Sequence, residues 1–391
     1  MINANAQMRT LVAGWHADIP TIIWGDPGGA KSAIIEAMAA ANGYHVEPVI
    51  ASLRDPSDFA GLPIVSNGEV IFATPRWVRA ANEAEKSIVF LDEFSQATPS
   101  VQGSCLRVLN ERWVGETKVG DHVRFILAAN PPESAAGGFD LSAPTANRML
   151  HIKDWTGPSV DDYTTGLTQG FDKITPNFED IGVTEVSDER KAEKASFVAA
   201  YLLRNPQAIH DLPQDPAAAG QAWASRRSWE MLAKVLPYIA DDDYEAILLA
   251  AQGTVGEGYG TEFAIWLKDA DLPDPREVLD NEAKDYDFSD ERLDRHFILL
   301  TSVVTLAANE GTEEAWKKAW GVLGEAAKND RADIGVGASI KLMKAAKAGW
   351  LPPKEKVQAF LPVLKESGLI SEMAPKKPAA KKDTTAAKKA A

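Results

Sequence analysis

The chain has 391 residues, of which 45% are hydrophobic and 25% charged, an ordinary globular composition with length for two or three domains. It lacks the long apolar run that a membrane-spanning helix requires, and its first residues lack the basic start and apolar core of a secretory signal. Its single cysteine, Cys105, excludes an intrachain disulfide and a cysteine-rich metal site, so a cytoplasmic protein with no membrane partner is expected.

The net charge of −15 is unevenly placed. Residues 375–391 carry six Lys and one Asp, leaving an acidic body, which argues against extended duplex binding as the main activity. The Lys/Ala/Pro tail, 373–391, reads as disordered. Its simplest role is to solubilise the chain. Weak electrostatic attachment to nucleic acid or an acidic partner is the alternative.

Taken in chain order, residues 1–18 read as an amphipathic helix with Leu11, Val12 and Trp15 on one side. Residues 19–153 then alternate strands and helices, the pattern of a parallel α/β sheet. The expected strands are Thr21–Trp24, His45–Ala51, Ser87–Leu91, Arg124–Ala129 and Met149–Ile152. Leu62–Ala73 reads as a β-hairpin around Asn67-Gly68. A second hairpin is expected over Trp113–Arg124, turning at Val119-Gly120-Asp121. Residues 156–187 are polar and read as a linker. Beyond them nearly everything has helical spacing: Lys191–Arg204, Ser228–Val235, Asp243–Ala251, Tyr259–Leu267, Arg292–Ala308 and Glu313–Lys328. Trp229, Trp266, Trp316 and Trp320 fall within this spacing and are expected in cores or interfaces rather than as base-stacking platforms.

Two stretches carry chemistry. Gly25-Asp26-Pro27-Gly28-Gly29-Ala30-Lys31-Ser32 lies between a short apolar strand and a helix. A glycine-rich turn there aims backbone N–H groups at an anion on the positive helix N-terminus. Lys31 adds a cation for the β- and γ-phosphates, and the Ser32 hydroxyl suits Mg²⁺. Ala30 stands where the usual pattern has glycine. The second stretch, Ser87-Ile88-Val89-Phe90-Leu91-Asp92-Glu93, is an apolar strand that delivers two carboxylates to its C-terminal end, where such sheets bind ligands. Asp92 is expected at Mg²⁺, and Glu93 at the water that attacks the γ-phosphate. Asn130, closing the next strand, supplies donor and acceptor together to orient that water. Arg148 precedes the last short strand. An arginine there suits the γ-phosphate of a neighbouring subunit, with a surface ion pair as the plain alternative.

The ordered set GDPGGAKS, IVFLDE, LAANPP and ANRM resembles an AAA+ ATPase: Walker A, Walker B, sensor 1 and arginine finger. Within that superfamily the chain is most similar to the MoxR clade, which carries a β-hairpin insert before the Walker B strand. Leu53–Gly61, the hairpin after it and Thr74-Pro75-Arg76-Trp77 occupy that place. Glu93–Ala97, Val101-Gln102 and Leu106–Arg112 resemble the helix after Walker B. Ala224-Ser225-Arg226-Arg227-Ser228 resembles the element opening the sensor 2 helix, with Arg226 in place of the usual Pro; by alignment Arg227 is the sensor 2 arginine, acting in cis.

The resemblance, covering roughly residues 10–270, implies an α/β AAA+ P-loop core over 1–155, a parallel sheet in an αβα sandwich with hairpin inserts. An all-α lid over 188–285 and a C-terminal helical extension over 286–372 follow. It implies ATP and Mg²⁺ as ligands, catalysis by Glu93, Asn130, Arg148 and Arg227, and a homo-hexameric ring. The implied function is remodelling or activating a client protein, often with a von Willebrand factor A-domain partner. A nucleic-acid-linked motor or McrB-type NTPase is the alternative, and a structural ring that uses nucleotide only for assembly is a third.

Overall fold

The computed structural model describes residues 5–131, 138–171, 175–269 and 273–369. Two compact units divide it, Met1–Leu272 and Pro273–Ala391. In the first, the opening elements are α1 (Ala6–His16), β1 (Thr21–Trp24), α2 (Lys31–Ala41) and β2 (His45–Ile50). A short turn of helix, α3 (Ser57–Ala60), precedes the hairpin β3 (Leu62–Ser66) and β4 (Glu69–Ala73). Then come α4 (Arg76–Glu83), β5 (Ser87–Asp92), α5 (Pro99–Glu111), the small hairpin β6 (Trp113–Val114) and β7 (Thr117–Lys118), and β8 (Val123–Ala129). After α6 (Ala143–Ala146) and β9 (Leu150–Ile152) the unit becomes helical: α7 (Val160–Gln169), α8 (Asp188–Arg204), α9 (Pro216–Ala219), α10 (Arg226–Val235), α11 (Tyr244–Val255) and α12 (Glu257–Lys268).

The five long strands form one wholly parallel sheet in the order β2-β5-β8-β1-β9. Alternate side chains leave it in opposite directions. Ile22, Trp24, Val89, Leu91 and Leu127 join Val78 of α4 and Val101 and Cys105 of α5 on one face. Ile23, Phe90 and Ile126 meet Leu11, Val12 and Trp15 of α1 and Ile35 and Met38 of α2 on the other. Both faces are covered, which is why the strands read as unbroken apolar runs. Burial in this core pushes the Cys105 thiol's pKa up and leaves it an inert packing group.

Two expectations need correction. The second hairpin turns at Gly115-Glu116, not at Val119-Gly120-Asp121. Gly115 has φ +57°, and a Cβ there would come within 2.9 Å of Phe72 Cβ, so the crossing of the two hairpins demands glycine. The first hairpin does turn at Asn67-Gly68, both residues at positive φ as a tight two-residue turn requires.

The second correction concerns residues 156–187, which are not a plain linker. They contain α7, and they bury Phe178 and Ile181 in the core beside α1. Phe178 stands edge-on to Trp15 at 4.7 Å, and its N–H donates to Asn42 Oδ1 at 2.8 Å. Aromatic anchors spaced among Asp, Gly and Thr give no periodic signal. The Lys-rich tail lies outside the described residues.

Helix α11 packs on β9 and, with α10, on α1, while α8 and α12 pack on α10 and α11. Arg9 of α1 makes a charge-assisted bond to Asp243, the N-cap of α11. Gly253 of α11 presses on the β9 backbone, where a Cβ would lie 2.2 Å from the His151 carbonyl. Trp229 is buried and Trp266 half-buried among Tyr201 and Phe263. The second unit is helical, built on α13 (Pro275–Asp280), α14 (Leu293–Glu310), α15 (Glu313–Lys328) and α16 (Val336–Lys344), with Trp316 and Trp320 fully buried at its centre. No helix of the described residues is long and apolar enough to cross a membrane.

His151, in β9, is buried and held as the neutral imidazole. Nδ1 accepts from Trp24 Nε1 at 3.1 Å, and Nε2 donates to the Ala146 carbonyl at 2.9 Å. Burial lowers its pKa to about 4 from an ordinary 6.5. The folded state therefore refuses a proton that the unfolded chain accepts. The stability this contributes is complete above pH 6.5 and falls away as pH drops from 6.5 towards 4. By pH 5 the loss is on the order of 2 kcal/mol. Urea titrations at pH 7 and pH 5 should show it in the native chain and a smaller fall in His151→Gln.

Candidate functional site

The parallel register sets the site. Trp24 pairs with Ala129 and Leu91 with Leu127, so Gly25, Asp92, Glu93 and Asn130 all emerge at one C-terminal edge. The loop from Gly25 to Ala30 leads directly into α2 and turns its N–H groups into the same space.

Lys31 lies at the centre and is only 8% exposed. Its Nζ donates to the carbonyls of Gly25 at 2.6 Å and Asp26 at 3.0 Å and to Asn130 Oδ1 at 2.9 Å. Burial lowers its pKa, against the opposing charges of Asp92 and Asp26. Ser32 Oγ donates to Asp92 Oδ2 at 2.8 Å, while Asp92 Oδ1 accepts the Glu93 N–H at 2.8 Å. A hydroxyl and a single carboxylate, with no convergent group of three or more His, Cys, Asp or Glu among the described residues, are donors suited to magnesium, which takes its remaining oxygens from water and phosphate.

Backbone strain marks two positions. Ala30 and Glu93 both adopt left-handed conformations, at φ +57° and +53°. Such residues persist where surrounding structure over-determines them. At position 30 this explains the glycine of the usual pattern: the conformation, not side-chain size alone, is what glycine serves. At Glu93 it turns the carboxylate out of the strand line, where the Ser52 hydroxyl donates to Oε2. Ser52 carries no sequence signal; it belongs to the site only because β2 pairs with β5 and ends level with Asp92. Ser95 fixes Asn130 from behind, its Oγ accepting the Asn130 N–H at 3.2 Å.

The chain leaving β9 crosses the phosphate loop closely. A Cβ on Gly25 would lie 2.8 Å from Trp155 Cβ, and one on Gly157 would lie 2.9 Å from the Gly29 carbonyl. Gly25 and Gly157 therefore serve the close packing of this crossing, and Gly28, at φ +81°, serves the turn. Asp26, Pro27 and Gly28 remain exposed at the loop's tip.

Arg148 and Arg227 are not part of this cluster. Thr21 pairs with Leu150, so Arg148 precedes the N-terminal end of β9, the opposite edge of the sheet. The start of α10 is fastened there: Asn147 Nδ2 donates to the Trp223 carbonyl at 2.9 Å, and Ser225 Oγ donates to Asn147 Oδ1 at 2.6 Å. Arg227 stands beside Arg148, whose pKa is lowered by burial and then by the charge of Arg227. The run from Thr21 to Gly25 alone spans about 13 Å at about 3.3 Å per residue. The helix that bears Arg227 is tied to this far edge.

A parallel sheet with a glycine-rich loop, a buried lysine and a Ser–Asp pair at its C-terminal edge defines a P-loop nucleotide-binding core. Residues 20–149 match the family model described as AAA domain (dynein-related subfamily). This likeness covers the parallel sheet, the glycine-rich loop and the Ser32–Asp92 pair. A crystal structure of a candidate ATPase from Cytophaga hutchinsonii is similar at 14% identity, covering 68% of this chain and 81% of that one, with a TM-score of 0.40, a likeness too loose to inform the site. No curated protein matches the chain.

The strain at Ala30 is testable. Ala30→Gly should raise stability by up to about 1 kcal/mol, the left-handed cost of a Cβ less the extra freedom of glycine in the unfolded chain. Denaturant midpoints would show it, and a destabilised variant would contradict the reading.

Proposed function

We propose that the chain is an ATP-hydrolysing, MoxR-like AAA+ subunit whose site is completed by a second copy. One observation carries this. The phosphate, magnesium and water groups converge at one edge of the sheet, while two arginines that pair with no carboxylate among the described residues lie near each other at the other. A cation pair on the far edge serves the γ-phosphate best when that phosphate belongs to a neighbour.

In this reading the loop amides and Lys31 hold the phosphates of ATP. Ser32 and Asp92 would hold magnesium, which when bound neutralises charge on the β- and γ-oxygens. Glu93, oriented by Ser52, draws a proton from the attacking water, and Asn130 fixes that water's position. Asn130 leaves Lys31 to do so when phosphate oxygens take its place. Arg148 and Arg227 steady the charge that develops on the neighbour's γ-phosphate. Because Asn147 ties the two arginines to α10, hydrolysis at one interface moves the helical part of the next copy. A closed ring, a hexamer as in the family the sequence resembles, lets that movement act on a client protein in the cytoplasm, with a von Willebrand factor A-domain protein as the partner that the resemblance supplies.

Glu93→Gln should lower turnover by about 10²–10⁴-fold with ATP affinity kept, since a general base is lost and no phosphate contact is. Near-normal hydrolysis would remove Glu93 from this role. Arg148→Ala and Arg227→Ala should each be nearly inactive alone. Mixed with Lys31→Ala subunits, which keep both arginines, each should regain activity, because intact arginines then face intact phosphate loops. Mixtures that stay inactive would disprove action between subunits.

A further inference from the structure

We infer that the strap leaving β9, Trp155-Thr156-Gly157, positions the phosphate loop by setting the Gly29–Ala30 peptide with its N–H towards the phosphate. The inference rests on the proposed nucleotide site, and it gives Gly157 a part there without any contact to the nucleotide.

The strap is fastened before it reaches the loop. Its backbone continues the pairing of β9 with β1, the Trp155 N–H donating to the Trp24 carbonyl at 2.8 Å. The Trp155 side chain is 5% exposed and shares a core with Ile34, Ile35 and Met38 of α2. So anchored, the strap cannot retreat from what it crosses. Asp26, Pro27 and Gly28 of the loop are exposed, so crowding at the crossing is taken up by the loop.

The loop carbonyls show what the crossing sets. Those of Gly25 and Asp26 turn to Lys31 Nζ, at 2.6 Å and 3.0 Å. That of Gly29 turns to the strap: a Cβ on Gly157 would lie 2.9 Å from its oxygen and 3.6 Å from its carbon. A trans peptide carries its C=O and N–H on opposite sides. A Gly29 carbonyl aimed at the strap therefore sends the Ala30 N–H the other way, to the N-terminus of α2, where an anion is held. Ala30 locks this setting. Rotating the peptide changes φ at residue 30, and at φ +57° a residue with a Cβ occupies a narrow left-handed region.

Gly157 is itself at φ +71°, so a side chain there strains the backbone as well as crowding the carbonyl. Gly43, at φ +72° with nothing within 4 Å of a Cβ, separates the two effects. Calorimetric titration of the full chain with ATP and with inorganic tripolyphosphate, beside thermal unfolding, tests the inference. Gly157→Ala should weaken both ligands alike by about ten-fold or more, the worth of a lost N–H bond to a charged group. Gly43→Ala should lower the unfolding midpoint yet leave both affinities within about two-fold. Adding Ala30→Gly to Gly157→Ala should recover about three-fold or more in affinity, because glycine tolerates the φ that a displaced peptide demands. Trp155→Phe, which keeps an apolar anchor, should hold both affinities within about two-fold. Native affinity in Gly157→Ala, loss of ATP without loss of tripolyphosphate, or equal loss in Gly43→Ala would overturn the inference. If Gly157→Ala failed to fold while the double variant folded, native affinity in the double variant and in Ala30→Gly alike would overturn it too. Lys31→Ala should lose both ligands; if it lost neither, the phosphate site itself would be wrong, a failure separate from that of the strap.

Discussion

The site is organised by a buried cation that has no carboxylate in contact among the described residues. Lys31 is almost fully enclosed and is held by two loop carbonyls and an amide oxygen, neutral groups that satisfy its N–H donors but not its charge. An ammonium so placed is costly, as its lowered pKa records. The cost falls when an anion enters. Asp92 is close enough to act on Lys31 through space, yet its oxygens are engaged by Ser32 and by the Glu93 N–H. The remaining demand for negative charge therefore faces the loop, where the helix dipole and the amides of α2 act in the same direction. Polyphosphate is the ligand that meets all of these demands together.

Much of this was legible in the sequence because it is local. Strand, glycine-rich loop and helix follow one another within some twenty residues, and the apolar strand ending in Asp92-Glu93 announces both its burial and its exit point. The five strands, the sandwich and the first hairpin follow from short-range pattern in the same way. What could not be read was made by pairing across the chain. Ser52 reaches Glu93 because β2 lies beside β5; Trp155 explains the loop's Gly25 only once β9 is laid beside β1. The setting of Arg227 was hidden for the same reason. Its motif could be read, but the edge of the sheet to which Asn147 and Ser225 tie it could not.

The positive φ angles show a middle case. Asn67-Gly68 announces its turn because those residue types tolerate left-handed backbone. Ala30 and Glu93 adopt the same conformation with residue types that resist it, so composition conceals what geometry imposes. Both lie at the phosphate edge. Local preference is overridden there by the need to aim amides and a carboxylate at one point, the pattern expected where function rather than stability sets the backbone.

The two edges of the sheet are thus unlike in what they leave unsatisfied. The C-terminal edge gathers N–H groups, a buried ammonium and acids already held by the Ser32 and Ser52 hydroxyls; the N-terminal edge at β9 gathers two guanidinium groups that repel one another. Within one chain these lie too far apart to share a ligand, because the β1 strand and its loop separate them. Repulsion between Arg148 and Arg227 is tolerated at the surface but is relieved only by an anion brought to that edge. The proposed ring would supply one at every interface, with each copy presenting its phosphate edge to the arginine edge of the next. Under that proposal assembly and catalysis would depend on the same charges, and the Asn147–Ser225 bond would link them to the helices that begin at Arg226.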